Sequence, residues 1–131
     1  MGASYIVTDL CIRADFDFIQ LDSELIKVGM FGVKRAFEGI WSASYSSREG
    51  VYSPVSAIIQ LVEIVEKLSS EAHSEWDRCI SRRFDMGFES YKERFHSGWD
   101  IPSHVLQRII DVNGSLAVAI YRDDNSKDTE K

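Results

Sequence analysis

The chain has 131 residues, 44% hydrophobic and 27% charged, enough for one domain with its own core. Its 15 lysines and arginines face 21 aspartates and glutamates, a formal net charge of −6, which argues against a general binder of nucleic-acid phosphates. No apolar run approaches the roughly 20 residues of a membrane span, and Asp9, Arg13 and Asp15 interrupt the first one, unlike a secretory leader. Cys11 and Cys79 then read as reduced, buried thiols, and the chain is expected in the cytoplasm.

Taken in order, residues 4–13 alternate. Tyr5, Val7, Asp9, Cys11 and Arg13 point one way and Ile6, Thr8, Leu10 and Ile12 the other, as in a strand with one apolar face. Asp22 and Ser23 offer N-caps for a short helix over 24–28, which Gly29 should stop. Residues 30–38 read as a loop. Residues 39–46 read as a second strand with Trp41, Ala43 and Tyr45 on one face, and 47–50 as a turn.

Residues 52–68 give the clearest helix. Ser53 is a good N-cap, and Pro54 suits the first helical position. Val55, Ile58, Ile59, Leu61, Val62, Val65 and Leu68 form a wide apolar stripe that must be buried, most naturally against a sheet. Ser70 could cap a further helix over 71–79. Residues 80–91 alternate as a third strand, with Phe84, Met86 and Phe88 on one face and a bulge expected at Gly87. Residues 92–101 read as a loop. A helix from Pro102 or Ser103 should run through Val112, with Gly114 just past its end. Residues 115–122 form the last strand, and 123–131, with no apolar residue, a disordered polar tail.

The order β-α-β-α-(α)-β-α-β, with half-polar strands and one apolar stripe per helix, predicts an α+β domain over 1–122. Its core would be one four-stranded, mainly antiparallel or mixed sheet with helices packed on one face.

No enzyme is expected. His73 and Asp77, and Asp100 and His104, are i,i+4 couples, but metal sites usually need three or four such groups, and a solvated helix face explains both. No metal or cofactor is implied. Nothing around either cysteine or any histidine supplies an activated nucleophile or a phosphate loop. The stretch 78–99 mixes Arg78, Arg82, Arg83, Lys92 and Arg94 with Phe84, Phe88, Tyr91, Phe95 and Trp99. Such a mixture could stack bases, giving a ligand- or RNA-binding module as the alternative reading. A core-facing aromatic row edged by charge fits the overall acidity better.

The elements together resemble a known pattern: SYIVTDLCIRAD, a helix ending in VG, the Trp strand GIWSASYS, and the closing run WDIPSHVLQRIIDVNGSLAVAIYRDD. Trp41, Ile101, Pro102, Leu106, Gly114 and Tyr121 carry the likeness. It is similar to a bacterial domain-of-unknown-function family that recurs as immunity proteins in polymorphic toxin and contact-dependent growth-inhibition loci. That resemblance implies a protein, monomeric or weakly dimeric, that neutralises one cognate toxin domain by covering its active site or substrate path. The −6 charge suits a basic partner such as a nuclease, and it implies no membrane and no direct nucleic-acid contact. The partner-facing residues expected on this reading are Asp15, Asp17, Asp22 and Glu24 near the N-terminus, and Glu71, Glu75 and Asp77 further on.

Overall fold

A computed structural model describes residues 3–46, 53–90 and 98–122. The turn at 47–50, the aromatic and basic residues of 91–97 and the tail at 123–131 lie outside the described residues. The elements are β1 (Ala3–Ala14), α1 (Ile19–Lys27), β2 (Phe31–Gly32), β3 (Arg35–Phe37), β4 (Ile40–Ser46), α2 (Pro54–Glu66), α3 (Ser70–Arg78), β5 (Ser81–Ser90), α4 (Ser103–Asp111) and β6 (Ser115–Arg122).

The class is α+β and the sheet is mixed. Its strand order is β2-β4-β1-β5-β6, with β3 also paired to β4. Among the described residues only the β5–β6 pair is parallel, with α4 in the connection between the two strands. Six strands replace the expected four because β2 and β3 sit inside the stretch read as a loop. At two and three residues they are too short to show a period of two, and their pairing with β4 is what makes them strands. The β3–β4 hairpin turns on Glu38 and Gly39, both at positive φ (51° and 81°), as a two-residue turn matched to sheet twist requires.

β1 is the middle strand, antiparallel to β4 and β5. Leu10, Ile12 and Ala14 are buried on one face, while Cys11 and Arg13 lie on the other. The alternation slips once. Tyr5 pairs Phe88 and Val7 pairs Gly87, so Ile6 is an extra residue and the bulge lies in β1, opposite the glycine rather than at it. The slip moves Tyr5 off the face of Val7 and onto that of Thr8, whose hydroxyl is 2.7 Å from the Tyr5 hydroxyl.

α2 matches its sequence signals. The Ser53 hydroxyl accepts the Ser56 N–H at 3.1 Å, Pro54 opens the helix, and Ile58, Leu61, Val62 and Val65 are buried. α1 instead begins at Ile19, five residues before its expected start, with no side-chain cap of its own. Its Leu21 N–H is satisfied from α3, where the Glu75 carboxylate accepts it at 2.8 Å. A remote cap of this kind leaves no local signature. α1 ends as expected, with Gly29 left-handed at φ 102° and the Gly29 and Met30 N–H groups closing onto Ile26 and Leu25.

α3 is capped by Ser69, whose hydroxyl accepts the Ala72 N–H at 3.1 Å, rather than by Ser70. At the end of α4, Asn113 (φ 62°) takes the left-handed position and Gly114 follows it. The glycine is needed for space: a Cβ there would lie 2.6 Å from the Phe84 ring.

The helices cover one sheet face, and the core lies between them. Trp76 of α3 is fully buried, with its indole N–H donating to the Val112 carbonyl at 2.6 Å and its ring edge-on to Phe84. None of the described helices is long and apolar enough to cross a membrane.

Candidate functional site

The seven acids expected to meet a partner divide in two. Five make internal bonds. Asp17 pairs with Lys34. Asp22 accepts the Tyr45 hydroxyl at 2.5 Å; burial and that bond push the phenol far above its ordinary range. Glu24 accepts the Ser69 N–H at 3.0 Å, its hydroxyl at 2.5 Å and the Gln20 amide at 2.7 Å, and these bonds hold its carboxyl below the usual glutamate range. Glu75 caps α1. Asp77 lies 3.3 Å from His73 Nδ1 and accepts the Asn113 amide at 3.1 Å. Asp15 and Glu71 are exposed and make no such bond among the described residues. The partners of Glu24 and Glu75 lie 45 and 54 residues away in sequence, so the split is invisible there.

The helical layer as a whole remains acidic. The four helices with the α2 C-cap hold Asp22, Glu24, Glu63, Glu66, Glu71, Glu75, Asp77 and Asp111 against Lys27, Lys67, Arg78 and Arg108. The Arg108 guanidinium pairs with Glu66 at 2.9 Å, which joins α4 to α2. Glu63, Glu71 and Asp111 are exposed.

The aromatic and basic stretch divides where it is described, with Arg78, Arg83 and Trp99 exposed. Phe84 and Phe88 are buried. The Arg82 guanidinium donates to the carbonyls of Asn113 (2.7 Å), Trp76 (3.0 Å) and Cys79 (2.5 Å), placing a cation on the carbonyls that end α3 and follow α4. Trp99 is half exposed and packs near Tyr5 and Phe88, with centroid separations of 6.1 and 6.2 Å. Cys79 is buried, and burial, its largest influence, pushes the thiol up to about 11, so it is a poor nucleophile. Among the described residues no three His, Cys, Asp or Glu side chains gather as metal ligands.

Cys11 departs from expectation. It is half-buried on the sheet face that none of the described helices covers, its Sγ 3.5 Å from the Ser44 hydroxyl. The pairings fix a grid on that face. One row across the strands reads Arg35, Ser42, Arg13, Ser81; the next reads Ser44, Cys11, Arg83, Ser115; the third reads Phe31, Ser46, Asp9, Asp85, Ala117. Over the first two rows lies an open groove of about 560 Å³, lined by Arg13, Arg35, Arg83, Cys11, Ser42 and Ser44 with Phe31 and Val33 as an apolar wall. Arg83 reaches Asp85 loosely at 3.8 Å; Arg13 and Arg35 have no carboxylate partner among the described residues. Asp9 accepts the Ser46 hydroxyl at 2.7 Å, and burial, with Asp85 adding, raises its carboxyl pKa. The three arginines come from β1, β3 and β5. The cluster is not legible in the sequence, because only strand pairing brings the three together and β3 is too short to show a strand's alternation.

No protein-family model, no curated protein and no solved structure matches this chain. The reading of its function therefore rests on its own residues.

Proposed function

We propose that the chain is a protein-binding domain that docks a basic protein through its acidic helical layer, acting as an immunity protein for a cognate toxin domain of the nuclease type. The observation that carries this is the charge of that layer, eight acids against four bases over α1 to α4 with the α2 C-cap. A concentrated charge of one sign steers an oppositely charged partner and suppresses wrong ones. A nuclease presents cations where it holds phosphates, and an acidic surface competes for those cations. The resemblance drawn from the sequence motifs points the same way.

The docking residues are Asp15 and Glu71, with Glu63 beside them in sign. Asp22, Glu24 and Glu75 act one step back, fixing the helices that present the layer. The test is calorimetric titration with the C-terminal domain of the protein encoded next to this chain, with co-expression as the toxicity readout. Tight 1:1 binding that abolishes toxicity is expected. The double reversal Asp15→Lys with Glu71→Lys should weaken that binding at least roughly tenfold with an unchanged melting temperature. Undiminished binding by the double variant would remove this surface; no binding by the wild-type chain would remove the reading.

A further inference from the structure

We propose that the sheet face opposite the described helices is a second, separate site that binds a small phosphorylated molecule of mononucleotide size. The arginine cluster carries the argument. Arg35 and Arg13 flank Ser42 on the two neighbouring strands, so their backbones stand roughly 10 Å apart, two strand spacings. Arg83 is one row on, across β1 from Cys11's other neighbour, Ser44. Among the described residues neither Arg13 nor Arg35 has a carboxylate partner, so both guanidiniums are available to an incoming anion. Two guanidiniums with no carboxylate partner among the described residues match the roughly −1.5 to −2 charge of a phosphomonoester, and their flat forked donors match its oxygens. The Ser42 and Ser44 hydroxyls lie in the floor of the groove, where they can add hydrogen bonds.

Shape and charge limit the ligand. A groove of about 560 Å³ falls within the range of small-molecule sites, roughly 300–1,000 Å³. Asp9 and Asp85 occupy the next row, so a long polyanion leaving the arginines along the strands would meet carboxylates. The net charge of −6 opposes such a polymer as well. A compact anion avoids both. Its phosphate belongs at the Arg13–Arg35 end, away from Asp85, with its less polar part against Val33. The site lies on the sheet face opposite the helical layer, so it stands or falls independently of toxin binding.

Cys11 supplies a built-in reporter. Its half-buried thiol lies in the groove, whereas Cys79 is buried with a raised pKa and should alkylate far more slowly. The test titrates the full chain with ADP and with inorganic pyrophosphate by calorimetry, and follows iodoacetamide alkylation of Cys11 by mass spectrometry. Both anions should bind, compete with one another, and slow Cys11 alkylation. Arg13→Ala with Arg35→Ala should weaken both at least roughly tenfold with an unchanged melting temperature, since the Arg13 backbone bond to Ile80 remains. The milder pair Arg13→Gln with Arg35→Gln gives the same readout if the alanine pair misfolds. Three outcomes overturn the proposal: no binding of either anion at millimolar concentration, full binding by the arginine variants, or unprotected Cys11 at saturating ADP. Displacement of ADP by a short single-stranded RNA of higher affinity would also overturn it, in favour of a nucleic-acid surface.

Discussion

Glu24 joins two helices through one carboxylate. The Ser69 backbone N–H and hydroxyl and the Gln20 amide donate to it, and its folded pKa lies below the ordinary value. A carboxylate with a depressed folded pKa contributes stability above its unfolded pKa and loses it as pH falls through the folded one. Glu24→Gln should therefore lower the melting temperature at neutral pH, and the deficit should shrink as the wild-type chain is acidified below about pH 4. A deficit constant across that range would assign the effect to shape rather than charge. Asp9 has the opposite sign. Burial raises its pKa, so its ionised form opposes folding at neutral pH and its contribution improves on acidification. Both carboxylates look alike in sequence; their environments set them apart.

Among the elements, α2 is the most legible, because a cap, an N1 proline and a broad stripe all act within one stretch, although Val55, Ile59 and Leu68 at the margins of the stripe are only partly buried. α1 is less so, since its first turn is completed by Glu75 from α3. The end of α4 shows a subtler limit. A glycine after a helix is ordinarily taken as the left-handed residue, yet here Asn113 fills that role and Gly114 makes room for Phe84. Gly114→Ala should cost about 1–3 kcal/mol, since the added methyl meets a buried ring with no free side to move into. The shift in urea midpoint, at constant slope, measures it; a shift near zero would mean that Phe84 repacks freely.

At the scale of the molecule the described charges are distributed unevenly: acids over the helical layer and an arginine cluster on the opposite sheet face. An acidic layer that recruits a basic partner acts mainly through the association rate. That rate should fall by one to two orders of magnitude, roughly, between low salt and about 0.5 M salt as the Debye length shrinks below 5 Å, with a much smaller change in dissociation. Stopped-flow mixing with the toxin domain checks it. An association rate indifferent to salt would leave the acidic layer without a steering role.

By itself the sequence determined the α+β class and the acidic balance, which follow from the order of elements and the composition, and also the N-terminus of α2, the stop at Gly29 and the alternation that buries Leu10, Ile12, Phe84 and Met86, each of which depends on residues within a turn or two of one another. Tertiary structure alone decided the rest. It placed the bulge at Ile6, made strands of two short loop segments, and bonded Asp22, Glu24 and Glu75 to residues tens of positions away. It also brought Arg13, Arg35 and Arg83 to one groove. Pairing between strands sets which residues share a face, and the chain carries that information only through contacts tens of residues apart.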